Sequence, residues 1–187
     1  MDKIEGLSPV IAIEQKTTSK SPRSTVGTST EVYDFLRLLF ARIGEAHSYN
    51  TGEKMVSYSD DQILQLIGED FKDKRIILLA PIIKSRKGHY RELFQQISKQ
   101  GFVRVRVDGE ILEVEKGMKL DRYKTHDIEI VIDRLQANDS SSKRLAESIR
   151  TAMHHGEDSL LVIDADAEDQ KPRYFSRNLM CPTSGIS

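Results

Sequence analysis

Residues 103–114 read VRVRVDGEILEV, two short apolar-alternating runs around the pair Asp108-Gly109. A two-residue loop of this kind calls for positive φ at both central positions, which Asp-Gly supplies at low cost, so the segment predicts a type I′ β-hairpin. The hairpin fixes an antiparallel pair and its register. Val103, Val105 and Val107 then share one face, Ile111, Leu112 and Val114 return along the partner strand, and Arg104 and Arg106 occupy the other face.

The sheet around it is legible in outline. Arg75 to Ile83, RIILLAPII, is a continuous apolar run of the kind found in a strand covered on both faces, and it predicts the central strand. After a KSRKG loop, Tyr90, Leu93, Phe94 and Ile97 recur at helical spacing, with Gly101 where a C-terminal glycine belongs. Ile128 to Ile132 and Leu160 to Ile163 read as further strands. Between them a cap at Asp139 or Ser140 opens a helix that turns Leu145, Ile149 and Met153 inward. Strands and helices in this order, with a hairpin inserted, predict an α+β domain built on a mixed sheet with covering helices.

The N-terminal part is organised differently. A short strand near Ile11 leads through a loop bearing Lys16, Lys20 and Arg23, with Gly27 giving backbone freedom before a helix. Thr28 with Glu31 has capping-box spacing, and Val32, Phe35, Leu36, Leu39, Phe40 and Ile43 follow at the +3/+4 repeat. The polar stretch EAHSYNTGEKMVSYSD reads as a linker, and Ser59 with Gln62 opens a short helix bearing Ile63, Leu64 and Ile67. Three parts are expected: 1–55 (strand, loop, helix, linker), 56–173 (the α/β domain) and 174–187 (a return segment).

Composition excludes several classes. The 187 residues are 38% hydrophobic and 30% charged, enough for a real core, and Lys+Arg 28 against Asp+Glu 29 leaves a net charge of -1. Nucleic-acid contact would therefore rest on a local patch rather than on overall charge. One cysteine excludes an internal disulfide framework, and neither a signal-peptide pattern nor an apolar run of membrane-spanning length occurs, so a cytoplasmic location is expected.

The segment Ile11 to Arg42, IAIEQKTTSKSPRSTVGTSTEVYDFLRLLFAR, resembles the run from the Q-loop of the first ATP-binding domain into the signature domain of the UvrA family, the DNA-damage recognition subunit of the bacterial excinuclease. The resemblance continues in family order through LLAPIIKSRKGHY, GFVRVRVDGE, HDIEIVIDRL and RLAESI, and covers essentially the whole chain. It implies that 56–173 is the inserted α/β domain that binds UvrB and helps load it at lesions in nucleotide excision repair. It also implies that Gln15 is the Q-loop glutamine, which reaches the metal and γ-phosphate of a bound nucleotide. No G-x-x-x-x-G-K-[ST] or LSGG-type segment occurs, so the chain is expected not to be an enzyme by itself, and to be a piece of a longer protein. ATP, magnesium and zinc belong to the family's full-length members, and no cofactor is expected here.

Three groups of residues are candidate sites. Arg104, Arg106 and Arg134 sit on expected strands, where rigid guanidinium groups can pair bidentately with carboxylates. They could equally solvate a sheet face or pair with Asp108 and Asp133. The resemblance assigns Arg104 and Arg134 to charged contacts with UvrB, with Arg106 as the weaker candidate. The basic loop Lys84, Arg86, Lys87 and His89, like Lys16, Lys20 and Arg23, could meet DNA phosphates, and a DNA-binding fragment acting without a partner protein is the alternative function. No catalytic constellation is visible: His154-His155 near Asp158 reads as a helix C-terminus, and Asp164 with Asp166 as a solvated turn. The final CPTSGIS matches a C-P-x-C-G zinc knuckle of the family with Ser184 in place of the second cysteine, and EAHSYNTGEKM lacks the cysteines that some relatives place there, so no metal is expected at Cys181. A monomer is expected, because the family dimerises through its ATP-binding domains.

Overall fold

A computed structural model describes residues 25–138 and 142–186, and the chain divides into two compact units after residue 45. The expected first strand, Gln15, Lys16, Lys20 and Arg23 lie outside the described residues, as does the expected cap at Asp139 or Ser140.

The first unit contributes α1 (Val26–Ser29) and α2 (Val32–Ile43). The capping box expected at Thr28 and Glu31 lies one turn earlier. The Thr25 hydroxyl accepts from the Thr28 N–H and the Thr28 hydroxyl accepts from the Thr25 N–H, so Thr28 is spent inside α1. Thr30 is extended, and α2 begins after Glu31 without a side-chain cap.

The second unit holds α3 (Asp60–Asp70), β1 (Arg75–Lys87), α4 (Arg91–Lys99), β2 (Arg104–Val107), β3 (Glu110–Glu113), β4 (Thr125–Gln136), α5 (Ser142–His155), β5 (Ser159–Asp164) and β6 (Arg173–Ser176). Six strands form one sheet in the order β3-β2-β4-β1-β5-β6, with the expected central strand between β4 and β5. Ser59 and Gln62 form the expected capping box, which places Ile63 and Ile67 in the core with no exposed surface. Asp108 and Gly109 have φ of 51° and 97°, as a type I′ turn demands, and Val105 and Val107 are buried. Val103 lies outside the strand and is 69% exposed, a departure from the expected face.

The sheet is antiparallel at every pairing rather than mixed. The reason lies in the crossovers. Helix α4 joins β1 to β2 and α5 joins β4 to β5; each pair is parallel in direction, yet β4 stands between the first two and β1 between the second two. No parallel strands therefore touch, and the fold is a split β-α-β arrangement within an α+β domain. Helices cover one face: α3 and α5 over Ile76, Leu78, Leu135, Leu160 and Val162, and α4 with Phe94 and Ile97 over Ala80, Val105, Val107, Ile128 and Ile130. Each fully buried aliphatic or aromatic side chain here contributes about 1.5 to 3 kcal/mol. The stretch expected as a linker is ordered by a His47–Lys54 bridge and by Val56 pairing with Met180.

Candidate functional site

Among the described residues of this unit, no helix covers the other face of the sheet. Its centre is apolar, with Ile77, Leu79, Leu161 and Ile163 buried and Ile111, Val131 and Tyr174 half-buried beside them. Strand alternation determines which polar side chains join this face. In β2, Val105 and Val107 point to the helices, so Arg104 and Arg106 lie on the helix-free side.

Arg134 joins them through a bulge. Along β4, Ile128 and Ile130 face the helices while Val131 packs on the opposite cluster. Simple alternation from Ile130 would send Arg134 toward the helices. The register instead slips: Leu79 pairs with Val131 but Leu78 with Asp133, leaving Ile132 as the extra residue. Ile132 and Asp133 both face the helix layer, Ile132 against its apolar clusters and Asp133 against α5, where its carboxylate accepts from Ser148 Oγ at 2.7 Å and from both Arg144 nitrogens at 2.6 and 2.9 Å. Asp133 Oδ1 also accepts from the Arg134 N–H at 2.7 Å. Burial opposes the Asp133 carboxylate, but these donors outweigh it and hold its pKa below the ordinary value. Beyond the bulge Arg134 pairs with Ile77 and stands on the helix-free face.

The three arginines differ in what they can offer. Arg104 bonds Glu113 across the hairpin at 3.0 Å, with side chains 40% and 73% exposed, so the pair is a weak surface one. Arg134 is exposed and its guanidinium makes no ion pair among the described residues. Arg106 is half-buried, its side chain 12% exposed, and lies 3.5 Å from Glu129, its cross-strand partner. Among the described residues neither Asp108 nor Asp133 makes an ion pair with any of the three guanidinium groups: Asp108 takes His126 at 2.6 Å, and Asp133 takes Arg144.

Beside Arg106 lies a cavity of about 800 Å³ lined in part by Lys84, Asp108, Asp127, Glu129 and Tyr174. Burial pushes the Glu129 carboxyl up to about 7, against the Arg106 charge and with help from Asp127 and Asp108. Among the described residues Glu129 Oε2 and Arg106 Nε find no hydrogen-bond partner, so within them the pair is incompletely satisfied. Sequence reasoning missed Glu129, although a carboxylate amid HDIEIVID was the available signal.

The basic segment is strand rather than loop. Because β4 extends back to Thr125, Arg86 pairs with His126 and Lys87 with Thr125, leaving His89 alone of the four in the loop that follows. The Lys84 ammonium donates to the Gly185 carbonyl and lies 5.8 Å from the Tyr174 ring, and partial burial lowers its pKa. Lys84 is thus occupied internally. The acidic residues after β5 are occupied as well, Asp164 by Lys74 at 3.1 Å and Asp166 by Arg75. His155 stacks edge-on against Phe102, and burial lowers its pKa. No helix among the described residues is long and apolar enough to cross a membrane.

Residues 59–166 match the family model described as the UvrA interaction domain. The whole chain is similar to UvrABC system protein A of Methanothermobacter thermautotrophicus, at 47% identity over 190 residues, and of Aquifex aeolicus, at 46% over 187; it covers 20% of each of those proteins. It is likewise 47% identical to UvrABC system protein A of Staphylococcus aureus, of which it covers 19%. The chain therefore spans about a fifth of the length of these curated relatives.

Proposed function

Because this chain belongs to the UvrA interaction domain family, we propose that it serves as the module by which a UvrA protein binds UvrB and brings it to damaged DNA in nucleotide excision repair. The partner docks on the helix-free face of the sheet. Arg134 and Arg104 make the charged contacts, each to a carboxylate of UvrB, and Ile111, Val131 and Tyr174 supply apolar surface on the same face. The observation that carries this reading is the bulge at Ile132, which puts a guanidinium with no ion pair among the described residues on the same face as the loosely paired Arg104. Such a charge has no internal ion pair to break when another protein arrives, and the cost is limited to desolvation and side-chain ordering.

Arg106 has a supporting role. Its half-buried side chain holds the floor of the face through Glu129 instead of reaching the partner. Nucleotide, magnesium and zinc are handled by other parts of the full-length protein.

The test is calorimetric titration of the chain with UvrB at two salt concentrations. Arg134→Ala and Arg104→Ala are each expected to weaken binding by about 1 to 3 kcal/mol, roughly 5- to 150-fold. Unchanged affinity in both variants refutes the assignment. Duplex affinity that falls steeply with salt, in the absence of UvrB binding, favours the DNA-binding alternative through Arg86 and Lys87.

A further inference from the structure

Two turns far apart in sequence, 48–52 and 181–185, repeat one another bond for bond. In the first, the Gly52 N–H donates to the Ser48 carbonyl at 2.8 Å, the Thr51 N–H to Ser48 Oγ at 3.4 Å, and the Ser48 N–H to the Glu53 carbonyl at 2.7 Å. In the second, the Gly185 N–H donates to the Cys181 carbonyl at 2.9 Å, the Ser184 N–H to Cys181 Sγ at 3.5 Å, and the Cys181 N–H to the Ile186 carbonyl at 2.8 Å. Each turn closes on a glycine of left-handed φ, 72° at Gly52 and 63° at Gly185. Position by position, Ser48 corresponds to Cys181 and Thr51 to Ser184.

The turns also face each other. Val56 and Met180 exchange backbone hydrogen bonds at 2.9 Å, which brings the two segments side by side. Thr51 Oγ1 lies 3.3 Å from Cys181 Sγ, the thiol donates to Glu53 Oε2 at 3.4 Å, and Thr183 Oγ1 donates to Glu53 Oε1 at 3.0 Å. Ser48 and Cys181 are buried.

A turn whose first side chain accepts from the N–H of its fourth residue, with glycine fifth, is how a C-x-x-C-G knuckle presents two sulfurs to one tetrahedral ion. Two facing turns present four. Here the four positions are Ser48, Thr51, Cys181 and Ser184: one thiol and three neutral hydroxyls. Structural zinc takes thiolate and imidazole ligands, and hydroxyls that stay protonated are poor substitutes. Among the described residues no group of three or more His, Cys, Asp and Glu could hold a metal ion. The residues present do not fit zinc.

We infer that the paired turns keep the backbone frame of a zinc ribbon while hydrogen bonds centred on the Cys181 sulfur, from Thr51 and to Glu53, tether the two segments in place of a metal. The second turn borders the cavity beside Arg106, but the inference rests on the turns' own bonds and on metal content and melting, and stands independently of the UvrB reading. The frame has a further consequence. Since only side chains separate it from a metal site, cysteines at the three hydroxyl positions are sufficient to create one.

Three measurements on the 187-residue chain decide it. Metal analysis and thermal melting of the wild-type protein, with and without EDTA, are expected to give no stoichiometric zinc and no change in Tm. One equivalent of zinc whose removal lowers the Tm overturns the inference. Thr51→Val, which keeps the volume and removes the hydroxyl, is expected to lower the Tm by about 2 to 4 °C, and an unchanged Tm overturns the tethering role. The variant Ser48→Cys/Thr51→Cys/Ser184→Cys is expected to bind one cobalt ion with the intense visible bands of tetrahedral thiolate coordination. A folded triple variant without those bands overturns the shared frame. If that variant does not fold, the first two measurements still decide the matter.

Discussion

Asp133→Ala tests the bulge on which the proposed UvrB face depends. The carboxylate joins three things: the Arg134 N–H within the strand, Ser148 on α5, and the Arg144 guanidinium. Arg144 is 63% exposed, so its share is that of a surface pair, about 0.5 to 1 kcal/mol. Ser148 is buried, and leaving its hydroxyl unpartnered costs about 1 to 2 kcal/mol; the lost bond to the Arg134 N–H adds roughly 0.5 to 1 kcal/mol. The sum is about 3 kcal/mol, or roughly 6 to 12 °C in Tm for a chain of this size. Urea denaturation at pH 7 measures it directly, and UvrB titration below the variant's transition measures the second effect. Once the clamp is gone, the strand is free to relax to simple alternation and Arg134 loses its place, so affinity should fall about as far as in Arg134→Ala. An Ala variant within about 0.5 kcal/mol of wild type, or one that binds UvrB with full affinity, refutes the claim that Asp133 sets the bulge.

Other consequences follow from the same architecture. Glu129, with its folded pKa raised to about 7 from an ordinary carboxyl value of 4.5, holds a proton in the folded state that the unfolded chain has already lost. Its contribution to stability is therefore full below about pH 4.5 and falls by roughly 3 kcal/mol as pH rises to about 7. Urea denaturation of wild type and Glu129→Gln at pH 5, 6, 7 and 8 should show a slope that the variant lacks; parallel curves contradict the assignment. Phe94→Ala empties the buried contact of α4 with the hairpin and should cost about 3 to 5 kcal/mol in the same assay, and a loss under 1 kcal/mol would show that the helix is not anchored there.

How much of this was legible in the sequence varies with whether the deciding interaction is local. The hairpin at Asp108-Gly109 and the helix opened by Ser59 and Gln62 were readable, because turn and cap chemistry lies within a few residues. The run RIILLAPII announced a buried strand, but its continuation through Lys84, Arg86 and Lys87 was hidden, since those residues are strand only because β4 extends to pair with them. Strand β6 was missed altogether: Arg173 to Ser176 is too short and too polar to signal itself, and Phe175 is buried by pairing with β5 and by Tyr58. The side of the sheet on which Arg134 stands was also invisible, because a bulge is a mismatch between two strands and neither sequence carries it alone. Glu129 illustrates the opposite case. A carboxylate in the middle of an apolar strand is a readable sign of a buried partner, and Arg106 was in view at the matching register. The twin turns share only a glycine and a spacing in sequence, and their equivalence emerges from matched hydrogen bonds.

The most direct measurement is the titration of UvrB with wild-type chain and with Arg134→Ala, each at low and high salt. The account predicts saturable one-to-one binding by the wild type, a loss of about 1 to 3 kcal/mol in the variant, and a smaller salt dependence once one charged contact is gone. Binding that is equally tight and equally salt-dependent in the two proteins would place the partner elsewhere than on the helix-free face.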